Sequence, residues 1–369
     1  MEEYLSISPA FQKRLRLQGE TRYKANRILF FRMVGPLMQA RLSKYVDLSK
    51  VPRVFLHGNP HIDNYVRTFR GSALLDFDRS RMGPWCWDMI RLLSSLSIWS
   101  KKDKGFLERE TIDAFIEGYF THFLNPEIPF KQLRLLKDVK PQKWQTNSRE
   151  YLDAGKKGSR RMRQYPLDKR NPKTQAILKS YLQSRNELTL LDEYYVDEVG
   201  STPGTLGKRH FIFALMPKNP DSLKDAIVLD IKEVYAEKDT RFFQNVWPHH
   251  GQRMIAASRI YADGVEQRLG YATVEGQQYW GRQVPSFAEK VEKFLDEDEQ
   301  TDAAYSIGSQ LGKGHRRSLV TAADVKAVEV DFTQNFDAYL KISHMFTNEV
   351  RLAYDFMIAK QRLYKAFLG

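Results

Sequence analysis

The chain has a single cysteine, Cys86, among 369 residues, which excludes an intramolecular disulfide and any metal centre built on several thiolates. It contains no GxxxxGK[ST] stretch, and the glycines of VGSTPGTLGKRHF do not fall at GxGxxG spacing, so neither phosphate-cradling motif is supported. No apolar run reaches the length of a bilayer span, and the N-terminal MEEYLSISPAFQKRLRLQG opens acidic without a hydrophobic signal region. These absences lead us to expect a cytoplasmic protein with no membrane partner. No fixed-period repeat is visible, which argues against a solenoid.

What is present is ordinary globular material. With 42% hydrophobic residues the chain can bury a large core, and its length predicts two lobes. The net charge of +13 is unevenly placed: residues 131 to 180 hold fifteen Lys or Arg against four acids. That stretch, interleaved with Trp144, Tyr151 and Tyr165, could follow a nucleic-acid or other polyanion backbone, could clamp the phosphates of a small ligand, or could be a solvated surface insertion.

Residues 9 to 46 carry Ile28, Phe31, Met33, Leu37, Met38 and Leu42 at roughly helical spacing and read as core-packing helix. RVFLHG reads as a buried strand and SALLDFD as a second, joined as a hairpin through a turn at Arg70 and Gly71. After Pro84 helices are expected over WDMIRLLSSLSIWS and over 107 to 124, the latter stopping at Asn125 and Pro126. From 194 to 285, YYVDEVG, HFIFALM, AIVLDIKEV, RLGYATVEG and QYWGRQV predict an antiparallel sheet crossed by one helix, HHGQRMIAASRIYAD. Beyond 286 the pattern is helical.

The chemistry concentrates in 54 to 91. Asn64 on one loop and Asp76 after the next strand could offer an amide oxygen and a carboxylate to one hard cation, the donor type that Mg2+ prefers. Asp88, early in the apolar helix, could accept backbone N–H groups of the loop and brace it. Taken singly, Asp76 and Asp78 also fit turn or cap residues, Asn64 a turn former and Asp88 an N-cap. His57 and His61, four apart on a loop without a third ligand, read as bracing imidazoles rather than a metal pair.

HGNPHIDNY, LLDFD and GPWCWD together resemble the HGDxHxxN, xDFD and GPxxWD run of an uncharacterised bacterial family related to aminoglycoside phosphotransferases and protein-kinase-like enzymes. KRHFIFAL, VLDIKEV, GQRMIAAS, YWGRQV and SIGSQLGKGH follow in that family's order, so the likeness spans most of the chain outside the basic segment. The resemblance implies a two-lobe α+β kinase-like fold that binds ATP and Mg2+, with an unknown small-molecule or protein acceptor. Asn64 and Asp76 would ligate the cation, Lys232 would meet the nucleotide phosphates, and Gly200, Gly204 and Gly207 would cover them, though three glycines near a strand also suit a flexible turn.

The metal-bearing loop precedes the sheet, the reverse of ordinary kinase order, so a circular permutation is implied. The expected layout is a helical lobe from 1 to 130 and 287 to 369, a basic insertion at 131 to 192, and a small sheet lobe at 193 to 286. Lys232 lies inside an apolar strand, where an amine needs a partner or a route to water. The following helix offers it only His250 and Gln252, not a glutamate. Asn59 stands where the pattern has Asp, and an amide cannot take a proton from an attacking hydroxyl. Asp63 or Asp78 could substitute. Three functions are therefore open: an atypical phosphotransferase, a nucleotide-binding pseudoenzyme without turnover, and a polyanion binder using residues 131 to 180.

Overall fold

The computed structural model describes residues 23–68, 71–99, 107–130, 148–152, 162–203, 208–219, 225–284, 288–290 and 297–368. The architecture is mixed α+β, with helices around small antiparallel sheets.

Two short helices, α1 (Tyr23–Met33) and α2 (Gly35–Leu42), open the described chain. Strand β1 (Arg53–Leu56) leads into a loop, a 3-10 turn (Ile62–Asn64), and then β2 (Tyr65–Thr68), β3 (Gly71–Leu74) and β4 (Arg81–Pro84). Helices α3 (Cys86–Trp99) and α4 (Arg109–Leu124) follow, then α5 (Ser148–Leu152), α6 (Pro172–Ser184) and α7 (Leu190–Glu193). Strands β5 (Tyr194–Pro203), β6 (Arg209–Pro217) and β7 (Ile227–Glu233) precede α8 (His250–Tyr261), β8 (Gly270–Val274), β9 (Gln277–Gln283) and β10 (Ala288–Lys290). The chain closes with α9 (Glu297–Arg317) and the long α10 (Ala322–Leu368).

Local chemistry sets several boundaries. Asn171 caps α6, accepting the N–H groups of Lys173 (3.0 Å) and Thr174, while Pro172 supplies a first-turn φ without needing an intrahelical donor. Thr321 and Asp324 form a reciprocal capping box at the start of α10. His249 caps α8 through the Gly251 N–H.

The strand expected from RVFLHG does not pair with SALLDFD. β1 pairs antiparallel with β4, and β3 pairs with β2 as a hairpin. The ladder partner of β1, Arg-Met-Gly-Pro, has neither alternation nor β-branched residues, so nothing in its composition announces a strand. β10 adds to the free edge of β2, giving a three-stranded sheet in a region where the pattern suggested helix alone.

The five-stranded antiparallel sheet runs β5-β6-β7-β9-β8, with α8 entering the chain between β7 and β8. Alternation along its strands separates two faces. Phe211, Phe213, Leu215, Leu229, Ile231 and Tyr279 pack against Ile177, Leu178, Tyr181 and Leu182 of α6. Helix α6 thus contributes to this core from inside the segment expected to be a basic insertion. The opposite face carries Ile212, Ala214 and Val228 against Met162, and then His210, Asp230 and Lys232. A second, larger core joins α1 to α4 with β1, α8, α9 and α10, with the fully buried Trp85 and Trp87 at its centre.

Candidate active site

The loop after β1 is held from beneath by one carboxylate. Asp88, fully buried in the first turn of α3, accepts the backbone N–H groups of His57 (2.7 Å) and Gly58 (2.9 Å). His315 Nε2 on α9 lies 3.2 Å from the same carboxylate, and its Nδ1 is 2.8 Å from the Tyr119 hydroxyl on α4. Three helices and the loop are thereby tied at one buried point. Gly58 has φ +88°, and a Cβ there would lie 1.9 Å from the Arg79 carbonyl oxygen, so only glycine passes between the two backbones.

Within that loop the side chains divide. His57 is fully buried, its ring against Phe77 and Tyr261 with neither nitrogen bonded among the described residues, and burial lowers its pKa to about 4. The imidazole is packing rather than a hydrogen-bonded brace. The amide oxygen of Asn59 accepts a hydrogen bond from Arg91 Nε at 3.0 Å. Arg91 is wholly buried in α3; it also donates to the Phe31 carbonyl (2.9 Å), with its guanidinium 3.6 Å from the Phe31 ring centroid. Asp63 is paired with Arg32 of α1 at 2.5 Å.

The hairpin then brings Asn64 beside Asp76. The Leu75 N–H donates to the Asn64 carbonyl (3.0 Å), directly continuing the β2–β3 ladder, so the residue preceding Asp76 lies opposite Asn64. Asn64 is buried, and its Nδ2 has no partner among the described residues. Asp76 has φ +75°, a left-handed conformation that Asp tolerates better than most residues and that marks a locally constrained position.

Lys232 arrives on β7, more than 150 residues further along. Its Nζ lies 2.8 Å from Asp78 Oδ1 and 3.8 Å from Asp76 Oδ1, and 5.0 Å from the centroid of the Trp280 ring. Its partners are therefore the hairpin aspartates, not a residue of the following helix. Burial works to lower the Lys232 pKa, but the two carboxylates hold the ammonium above its usual range. Burial also opposes the charge on Asp76, yet Lys232, with Arg32, keeps that carboxyl below the usual range. For Asp78 burial raises the pKa, Lys232 pulls against it, and neighbouring Asp76 adds to the rise.

The helix α8 faces the hairpin with Arg253, which donates to the carbonyls of Asp78 (2.9 Å), Ser80 and Tyr235 (3.1 Å). Burial lowers its pKa to about 10. Arg253, Arg91 and Arg32 were not among the residues singled out by sequence. Only Arg91 carried a signal, as the one charge inside the apolar MIRLLSSL.

Gly200 lies on β5 and is bridged to Pro166; a Cβ on it would lie 2.1 Å from the Met162 carbonyl, so its backbone is packed against that segment. Gly204 and Gly207 lie outside the described residues, as do 131–147 and 153–161 of the basic stretch. Two of its described cations face acids, Arg163 with Glu198 and Lys173 with Glu275. Among the described residues no group of three or more His, Cys, Asp or Glu is arranged for a metal ion, and no helix is long and apolar enough to cross a membrane. The donors at the hairpin are an amide and a carboxylate with a further carboxylate behind, an all-oxygen set that fits a hard cation sharing its coordination with a ligand rather than a closed protein cage.

No curated protein and no solved structure matches the chain. A family model matches over residues 16–185 and 134–368, so that the chain belongs to the family described as an uncharacterized protein conserved in bacteria (DUF2252).

Proposed function

We propose that the cleft between the hairpin and the five-stranded sheet is a kinase-like nucleotide site, holding ATP with Mg2+, in a circularly permuted arrangement, and that its reaction class is phosphoryl transfer. The observation that carries this reading is the approach of Lys232 to within 3.8 Å of Asp76, with Asn64 beside it on the same hairpin. A cation of the five-stranded sheet comes to the hairpin that carries the two oxygen donors, the combination that binding a metal-bound polyphosphate requires.

In this reading Asn64 and Asp76 hold the cation, which when bound would neutralise phosphate charge. Lys232 exchanges part of its pairing with Asp78 for a phosphate oxygen, and Asp88 keeps the 57–59 loop rigid beneath. Loss of an aspartate at position 59 does not remove positioning or charge neutralisation, the main sources of rate in phosphoryl transfer.

A second reading, nucleotide binding without turnover, is favoured by the bond between Asn59 and Arg91: the side chain at position 59 is committed to a buried guanidinium rather than presented to an acceptor hydroxyl. Thermal melts with increasing Mg-ATP, run beside an assay for ADP release, separate the two. Stabilisation with turnover lost in Asp76→Ala supports the transferase; stabilisation without turnover, unchanged in Asn59→Asp, supports the second reading. A flat melting temperature over a wide ATP range removes both.

A further inference from the structure

The register of the sheet places another cation beside Lys232. Lys232 on β7 is directly opposite Trp280 on β9, and Asp230 is directly opposite Arg282. Opposed residues in an antiparallel ladder share a face, and so do residues two apart on one strand. Arg282 and Lys232 are thus diagonal neighbours on the cleft face. Both lie against one indole, with the Lys232 Nζ 5.0 Å and the Arg282 Cζ 5.9 Å from the Trp280 ring centroid.

Arg282 is anchored on one side only. Its Nη1 bonds to Glu266, a carboxylate just 4% exposed, whose other oxygen accepts the Ser258 hydroxyl of α8 at 3.0 Å. The remaining guanidinium donors have no partner among the described residues, and the side chain is 27% exposed. The charge is close enough to act on both Asp76 and Lys232. The carboxylate of Asp76 acts on both cations and tempers their mutual repulsion, and an arginine fixed by a buried carboxylate with its other donors open is preorganised for a further anion.

We propose that Arg282 is a second phosphate-binding residue of this cleft, and that with Lys232 it selects ligands carrying a chain of two or more phosphoryl groups over monophosphates. This rests on the nucleotide reading above for the identity of ATP, but not for the anion itself. Asp230, directly opposite Arg282 on the same face and paired with His210 of β6 at 2.9 Å, bounds the anionic part of the site on the β6 side.

The test is equilibrium binding by calorimetry of Mg-ATP, Mg-ADP, AMP and inorganic tripolyphosphate to the wild-type protein, Arg282→Lys and Arg282→Gln. Since Arg282→Gln strands the buried Glu266 charge, the double variant Glu266→Gln/Arg282→Gln is measured too, with a melt of each free protein to confirm folding. Loss of charge-assisted bonds predicts ~10- to 100-fold weaker ATP and tripolyphosphate binding in both Gln variants, a partial recovery in Arg282→Lys, and AMP binding changed by less than about threefold. Folded Gln variants that bind ATP and tripolyphosphate as the wild type does overturn the proposal and leave the nucleotide reading standing. Tripolyphosphate binding that depends on Arg282, with no ATP binding at all, supports the proposal and sinks the nucleotide reading. A wild-type protein that binds neither sinks both.

Discussion

The amide oxygen of Asn59 lies 3.0 Å from Nε of Arg91, inside a helix where the guanidinium is wholly buried. The desolvation of that cation is already spent in forming the native state, so a carboxylate at position 59 turns a neutral-acceptor hydrogen bond into an ion-paired one. We expect Asn59→Asp to raise stability by about 1–2 kcal/mol in urea unfolding at pH 7. A destabilised variant would show that the pocket cannot accept the anion.

Lys232, on the five-stranded sheet, pairs with two carboxylates of the hairpin. Lys232→Met removes the charge while keeping the stem, leaving Asp76 and Asp78 without the cation they share. Partial exposure of both acids tempers the cost to about 2–3 kcal/mol. Combining it with Asp78→Asn should recover part of this loss, and a double-mutant cycle with additive costs would contradict the coupling.

Acid should weaken the fold through His57. Its pKa is near 4 in the native protein against an ordinary 6.5, so between those values the unfolded chain binds a proton that the native state refuses. Stability is unaffected above about pH 6.5 and falls as the pH drops toward 4, by about 3 kcal/mol in all for this group. His57→Phe, which keeps a ring between Phe77 and Tyr261, should flatten that window in a series of denaturant curves; an unchanged slope would exonerate the imidazole.

Asp88 satisfies two backbone donors and faces His315, all of them buried. Asp88→Ala leaves the two N–H groups stranded and should cost about 3–5 kcal/mol. Native-state hydrogen exchange gives the local view: the amides of His57 and Gly58 should lose protection first, whereas uniform loss across α3 would mean that the carboxylate braces the helix rather than the loop.

The helices α3, α4 and α8 and the strands β5 to β9 were legible because their apolar spacing repeats locally, and a period of 3.6 or 2 can be read within a dozen residues. The strand β4 was not, and its pairing with β1 replaced the expected hairpin, because Arg-Met-Gly-Pro owes its extended state to the ladder it joins. At the candidate site, the hairpin pattern singled out Asn64, Asp76 and Asp88, and the family resemblance added Lys232 with Asp78 as a substitute base, but neither pointed to Arg32, Arg253 or Arg282. A charged residue on a strand or helix announces a requirement for a partner without saying which one.

The residue types and their order along the chain sufficed to set the class of the fold, the two regions of contrasting character, and the stretch where oxygen donors gather. Only folding decided that Asp78, not a helix residue, answers Lys232, that Arg91 takes the side chain of Asn59, and that Arg282 stands beside Lys232 on one sheet face. The physical reason is reach: propensity and periodicity act over a few residues, whereas ion pairs and ladder register are chosen among groups from tens to more than a hundred residues apart, by whichever arrangement leaves the fewest buried charges and donors unanswered.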